Sequence, residues 1–317
     1  MPLPPLLAQL RFPVIAAPLF TISNPALVIA QCTAGIVGSF PALNARPESL
    51  LPEWIGEIKE ALAAWDRDHP DRPAAPFAVN QIVHRSNARL EHDLAVCVEH
   101  RVPIVITSLG ARPEVNEAVT GYGGVVMHDV INDRFAHKAI EKGATGLVAV
   151  AAGAGGHAGT LSPFALIQEI RAWFDGPLAL SGAIASGAAV LAAQAMGADF
   201  AYVGSAFIAT HEANAADGYK RALVDGTADG IVYTNLITGV HGNYLKSSLV
   251  AAGLDPDNLP VSDATKMDFG AGRKAWKDIW GSGQGIGVID GIVPAGVLVD
   301  RLHTEYEVAR RRLSLGG

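Results

Sequence analysis

Cysteine is nearly absent. Cys32 and Cys97 are the only two, and neither belongs to a C-x-x-C pair or sits near a histidine cluster. That leaves no disulfide framework, thiolate zinc site or dithiol redox motif, and two reduced thiols of a cytoplasmic protein are the expectation. Charge is also sparse, at 17% of residues, and the basic share is the smaller, with 24 Lys and Arg against 31 Asp and Glu. With a formal net charge of −7 and no basic stripe, nucleic acid and anionic membrane surfaces are not expected partners. A small anion stays open, because backbone amides can hold one without net positive charge. The start, MPLPPLLAQLRF, lacks a positive n-region and carries early prolines, so no signal peptide is expected. One apolar run, Gly187 to Thr210, is long enough to raise the membrane question. Gln194, Asp199 and the Gly-Ala-Asp break make it read as a helix followed by a buried strand.

Glycine, by contrast, is plentiful at 34 residues, and half the chain is hydrophobic. This suits buried parallel strands joined by tight loops rather than disorder. Short apolar runs alternate with segments of helical spacing. The strands read as Pro13–Pro18, Ala34–Phe40, Phe77–Val83, Val102–Ser108, Gly123–Val130, Thr145–Ala152, Pro177–Ile184 and Asp199–Phe207. Between them, Asn24-Pro25 and Ser162-Pro163 look like N-caps followed by proline at the first helical position. Leu50–Trp65 carries apolar residues at helical intervals. Eight such alternations predict an α/β fold, a closed (β/α)8 barrel, with an open doubly wound sheet as the alternative. Residues 213–260 read as helices with polar loops, Gly281–Gly287 as a flexible loop, and a C-terminal helix follows. The expected organisation is a barrel core over 1–212, a helical and loop insertion over 213–290 shaping the substrate pocket, and a packing helix over 291–317.

In a parallel barrel the chemistry gathers at the carboxyl ends of the strands. Those ends hold Ala17, Pro18 and Leu19, then Asn80, Ser108, His128-Asp129, the loop AAGAGGHAGT (Ala151–Thr160), Ser181-Gly182-Ala183 and Gly204-Ser205. Small residues and neutral hydrogen-bonding groups dominate. His128-Asp129 is a metal pair without a third ligand, and no metal site is expected. The reactivity is therefore expected from an organic cofactor. The last two barrel loops, SGAIASG and VGSAF, suit a phosphate held by amides near Gly182 and Gly204, by the Ser205 hydroxyl, and by helices opening near Ser186 and Ser205. Tight turns alone would look the same. GAGGHA matches the dinucleotide pattern G-x-G-x-x-A, but the next strand lacks the acidic residue that pattern needs. That leaves glycines beside one imidazole, His157. It reads either as a general base, since histidine titrates near neutrality, or as a ring bonded to a loop carbonyl. His211, His241, Tyr233, Tyr244, Lys246 and Trp280 are further pocket candidates. His69, His84, His92, His100 and His137 read as solvated.

Taken together, FPVIAAPL, FAVN, GAGGHAG, LSGAIASG, GADFAYVGSAF and WGSGQGIG resemble the nitronate monooxygenases, formerly 2-nitropropane dioxygenases, over nearly the whole chain. The resemblance implies a TIM barrel with non-covalent FMN at the strand carboxyl ends. It implies oxidation of alkyl nitronates by O2 to carbonyl compounds and nitrite. It places Pro18 and Leu19 beside the flavin ring, Asn80 in hydrogen bond to it, and Gly155 and Gly156 on its border. Gly182, Ala183, Gly204 and Ser205 would hold the phosphate, and His157 would take a proton from a neutral nitroalkane. The chain departs from the family in Ala17-Pro18-Leu19 for A-P-M, Gly182-Ala183-Ile184 for G-G-I, and Val203-Gly204-Ser205 for M-G-T. Val150–Gly153 also replaces the usual Gln-Gly-x-Glu. Related flavin barrels use NAD(P)H to reduce quinones or enoyl thioesters, which is the alternative activity. A flavin-binding barrel without turnover is another, and a homodimer is left open.

Overall fold

A computed structural model describes residues 3–261 and 278–314. The part of the expected insertion at 262–277 lies outside the described residues. The strands are β1 (Val14–Ala16), β2 (Gly38–Pro41), β3 (Phe77–Ile82), β4 (Ile104–Ser108), β5 (Val125–Val130), β6 (Gly146–Val150), β7 (Gly156–His157), β8 (Leu178–Ser181) and β9 (Phe200–Val203). All but β7 form one parallel sheet in the order β1-β9-β8-β6-β5-β4-β3-β2. The ends of that order meet. Ala16 N donates to Val37 O at 2.8 Å and Val37 N to Val14 O at 3.1 Å, closing a (β/α)8 TIM barrel.

The strands read as unbroken apolar runs because both faces are covered. Ile15, Ala78, Ile104, Met127, Val148 and Ala179 point inward and pack on one another. Their neighbours Val14, Val79, Val105, Val126, Leu147 and Leu178 point outward into the helical layer. The N-terminal segment joins the inner cluster: Leu7, on the short helix Pro5–Ala8, packs with Ile15, Val37 and Ile104 and is 2% exposed. This plug closes the amino-terminal end of the barrel and leaves the carboxyl end as the open mouth.

Asn24 caps the helix Pro25–Thr33 by accepting from Leu27 N at 3.0 Å, with Pro25 at the first position as the sequence predicts. The helix Pro163–Arg171 also starts as expected, but the Ser162 hydroxyl does not cap it. The long apolar run divides into the helix Gly187–Ala195, strand β9 and the short helix Ser205–Ile208. No helix among the described residues is long and apolar enough to cross a membrane. Cys32 and Cys97 are free and buried, and burial pushes both thiols up to about 12.

After the barrel, the sequence suggested helices and loops, yet a hairpin forms. Strands β10 (Ile231–Thr234) and β11 (Gly242–Leu245) are antiparallel, and β11 also pairs with β7 through Gly242↔His157 and Asn243↔Gly156. The runs IVYT and GNYL were too short and too close to polar residues to stand out. The segment read as a flexible loop is a packed 3-10 turn, Gln284–Val288, with Ile286 wholly buried. The last helix, Ala295–Ser314, lies on Gly187–Ala195. The Phe12 ring meets Tyr306 edge-on, with centroids 5.3 Å apart.

Candidate active site

At the open mouth lies a cavity of about 1630 Å³, larger than the roughly 300–1,000 Å³ of a typical small-molecule site. Each residue singled out at the strand ends reaches its wall. Ala17, Pro18 and Leu19 follow β1, Asn80 lies on β3 and Ser108 ends β4; Gly155, Gly156 and His157 follow β6. Ser181, Gly182 and Ala183 come from the end of β8, and Gly204 and Ser205 from the end of β9. Fold topology brings them together because a parallel barrel turns every strand's carboxyl end to one rim.

The glycine loop is bare chiefly for a reason other than ligand approach. A Cβ on Gly155 would lie 2.7 Å from Gly283 N, one on Gly283 2.7 Å from Gly153 O, and one on Gly285 2.6 Å from Ala183 O. Main chain crosses main chain here, and side chains would part the strands of the crossing. Gly156 is different. Its φ is +66°, and the position its Cβ would take has no atom within 4 Å. It leaves open space beside His157.

Two expectations about the anion-binding loops need correction. The helix expected to point from Ser186 toward a phosphate is capped by protein instead. Ser186 Oγ accepts from Ala189 N at 3.3 Å, and Glu305 Oε2 accepts from Gly187 N at 2.7 Å. The Ala183 N–H is likewise engaged, donating to Gly153 O at 3.2 Å, while Ala183 itself is held at φ +54°. Ser205 Oγ accepts from Gly283 N at 2.9 Å and keeps its own proton to donate. The N–H groups of Gly204, Ser205 and Ala206 pair with no described residue.

A hydrogen-bonded chain crosses the floor. Asn80 Nδ2 donates to Ile106 O at 3.0 Å and to Ser108 Oγ at 2.8 Å, and Ser108 Oγ donates to Asp129 Oδ2 at 2.6 Å. Both amide protons of Asn80 are engaged, so it can offer a ligand only its oxygen. Asp129 Oδ1 and the Tyr202 hydroxyl are shut off from solvent and lack a partner among the described residues. Burial pushes the Asp129 carboxyl up to about 6, against the opposing Ser108 hydrogen bond. Burial also raises Tyr202, with the nearby Asp129 charge adding to it. His128 Nδ1 lies 2.6 Å from Thr107 Oγ1, and burial lowers the ring to about 4, assisted by Lys142. Among the described residues no group of three or more His, Cys, Asp or Glu could hold a metal ion.

His157 sits on the cavity wall as one strand residue of the small antiparallel sheet. Its Nε2 lies 2.9 Å from Thr238 Oγ1. Burial lowers its pKa to about 4, so the imidazole is neutral at pH 7. Tyr233 Oη donates to Ala158 O at 2.8 Å, and Asn243 Nδ2 donates to Ala154 O at 2.7 Å, fixing the loop on both sides of the ring.

Of the later candidates, His241 and Trp280 line the cavity, and Trp280 stacks on Tyr219 with centroids 5.0 Å apart. Tyr233 is exposed and stacks on His241 with centroids 5.1 Å apart, and Tyr244 is wholly buried. Lys246 faces Asp257 at 3.9 Å, and His211 is exposed with Nε2 at Ile292 O. His84, read as solvated, lines the cavity, whereas His137 stacks on Trp173. Thr238 and Tyr202 escaped the sequence reading. A threonine in a polar loop and a tyrosine inside a buried strand carry no signal of their own until the fold sets them beside His157 and Asp129.

A barrel closed at one end, with a deep, polar-floored mouth at the other, has the architecture of a TIM-barrel enzyme whose site lies at the strand carboxyl ends. A family model described as nitronate monooxygenase matches residues 5–305. The chain belongs to the nitronate monooxygenase family and is a flavin-dependent oxidoreductase. A nitronate monooxygenase of Paraburkholderia phytofirmans is 29% identical over 309 residues, covering 82% of this chain and 80% of the relative. Nitroalkane oxidase from Streptomyces ansochromogenes shares the fold with a TM-score of 0.81 at 23% identity, over 97% of this chain and 99% of that one. FabK from Thermotoga maritima does so with a TM-score of 0.80 at 23% identity, over 98% and 96%.

Proposed function

We propose that the protein is an FMN-dependent enzyme that oxidises alkyl nitronates with O2 to carbonyl compounds and nitrite. The observation that carries this reading is the pairing of a neutral, partly buried imidazole, His157, with the open space at Gly156 on the same wall. The residues fit a flavin. The unpaired N–H groups at Gly204, Ser205 and Ala206, with the Ser205 hydroxyl, suit a phosphate. Ser181 and Gly182 stand beside them. Ala183 serves through its turn rather than its amide. Ala17, Pro18 and Leu19 would flank the ring, Asn80 would accept from it through its oxygen, and Ser108 would hold Asn80 in place.

When bound, FMN supplies an electron acceptor next to the substrate carbon. The protein's own part is to seat the substrate, exclude water and manage one proton. Phe20, Ile131 and Trp280 contribute apolar wall. Segment 213–290 shapes the substrate side of the pocket through its described residues Tyr219, His241 and Trp280. A base whose conjugate acid lies at about 4 has little driving force for taking a proton from a carbon acid. Preformed nitronate needs no such step, so nitronate is the better substrate and neutral nitroalkane the slower one.

An absorbance spectrum of the purified protein, then anaerobic addition of an alkyl nitronate, tests this. A flavin spectrum that bleaches with nitronate supports it. A protein that takes up no FMN refutes it. One second reading is NAD(P)H-dependent reduction of a quinone or enoyl thioester, which the apolar wall at Phe20, Ile131 and Trp280 also suits. Bleaching by NADH or NADPH but not by nitronate would select that activity.

A further inference from the structure

The three-stranded sheet after the barrel gives His157 a neighbour that nothing in the chemistry above uses. Thr238 lies in the turn between β10 and β11 and is 3% exposed. Its Oγ1 accepts from Val240 N at 3.3 Å, donates to Val240 O at 3.1 Å, and sits 2.9 Å from His157 Nε2. Behind it Tyr244 is wholly buried. Gly242 makes this packing feasible: a Cβ there would lie 2.7 Å from Gly156 O and 3.2 Å from the Tyr244 hydroxyl.

A hydroxyl has one proton to give. If it goes to Val240 O, a carbonyl that can only accept, then His157 Nε2 must be the donor toward Thr238. That arrangement survives protonation of the ring, since Nε2–H donates in both the neutral and the charged form. The reverse arrangement, with Thr238 donating to Nε2, fails once Nε2 gains a proton.

We propose that Thr238 is the positioning residue for His157. Its hydroxyl accepts from Nε2–H, fixes the tautomer and ring angle, and supports the imidazolium when a substrate proton arrives. Proton exchange then falls to Nδ1. The support comes from a hairpin about eighty positions further along the chain, so the insertion after the barrel aligns the base as well as forming the substrate wall. The inference rests on the reading of His157 as a base.

The test uses FMN-loaded protein, with nitroethane and its preformed nitronate as substrates. Thr238→Val keeps the volume and removes the acceptor. Expected is a kcat/KM for nitroethane that falls about ten- to a hundred-fold relative to that for the nitronate, carried by kcat. Thr238→Ser is expected to restore most of the loss. Equal losses on both substrates, no loss, or no rescue by serine would overturn the proposal. His157→Asn separates the two readings: if it fails to discriminate the substrates, the base itself is wrong. An independent check needs no variant. Nitrogen-15 NMR of the His157 ring is expected to show the Nε2-protonated tautomer, and the Nδ1-protonated form would overturn the assignment.

Discussion

Glu305, near the end of the chain, accepts a 2.7 Å hydrogen bond from the N–H of Gly187, the first residue of the helix after β8. The contact needs a glycine. A Cβ at 187 would lie 2.0 Å from Leu302 O and 2.2 Å from Tyr306 N. Gly187→Ala is therefore expected to lift the last helix off the barrel and destabilise the fold by more than about 2 kcal/mol. Glu305→Ala, which removes the cap and a 3.6 Å ion pair with Arg301, is expected to cost about 0.5–2 kcal/mol. Urea midpoints of the two variants measure the difference, and equal midpoints would remove the steric account.

His157→Asn is expected to suppress turnover of a neutral nitroalkane about 10²- to 10⁴-fold, the usual weight of a general base. Turnover of preformed nitronate should fall far less. Steady-state rates on both substrates under air, corrected for flavin content, give the ratio.

Buried titratable groups at the mouth set opposing trends with pH. His128 and His157 both lie at about 4 in the folded protein, below an unfolded value of 6.5. As pH falls, the unfolded chain binds these protons first, so stability is lost from about 6.5 down to about 4. The loss is up to roughly 3 kcal/mol for His128 and less for the partly exposed His157. Asp129 runs the other way. Its folded value of about 6 exceeds the unfolded 3.8, so the stability it contributes at low pH is lost as pH rises through about 6. Asp129→Asn is expected to be more stable than wild type above about pH 6, by roughly 1–3 kcal/mol. The gap should close below about pH 4. Urea midpoints across this range decide, and a constant gap would mean that Asp129 is not the titrating group.

Two adjacent glycines are expected to respond differently to alanine. At Gly155 the new methyl meets Gly283 N at 2.7 Å and Ser205 Oγ at 3.2 Å, so the loop crossing must open. Gly155→Ala should lower stability and FMN affinity together. At Gly156 the methyl enters open space, but φ +66° strains any L residue by about 1 kcal/mol. Gly156→Ala should keep most of the stability and lose ligand affinity. Melting temperature and FMN dissociation constant, measured on both, separate the cases.

The barrel was legible because its signals are local. Asn24-Pro25 marks a helix start wherever it occurs, and runs such as LVAV need no partner to read as buried strand. The strand-end residues followed from topology alone. What stayed hidden depends on distant pieces. Leu7 reads as one more leucine until the barrel's lower end closes on it, and the glycines of 153–156 looked ligand-facing because the segment at 282–285 that crosses them lies far along the chain. The hairpin at 231–245 was missed since its strands are short and β11 gains its register only from His157. His128 and Asp129, adjacent in sequence, take separate partners, Thr107 and Ser108, which only the strand pairing brings beside them.

Closure of the ring joins Val14 to Ala201. On the ribosome, the first strand finds Val37 early but must wait for nearly two hundred further residues before its second neighbour exists. Until then it offers an unpaired edge to any other nascent chain. Such a long-range pairing slows folding, and the ring cannot close until Phe200–Val203 has been made. The yield of folded protein should accordingly be governed by chaperone supply and temperature during expression more than by the stability of the finished molecule.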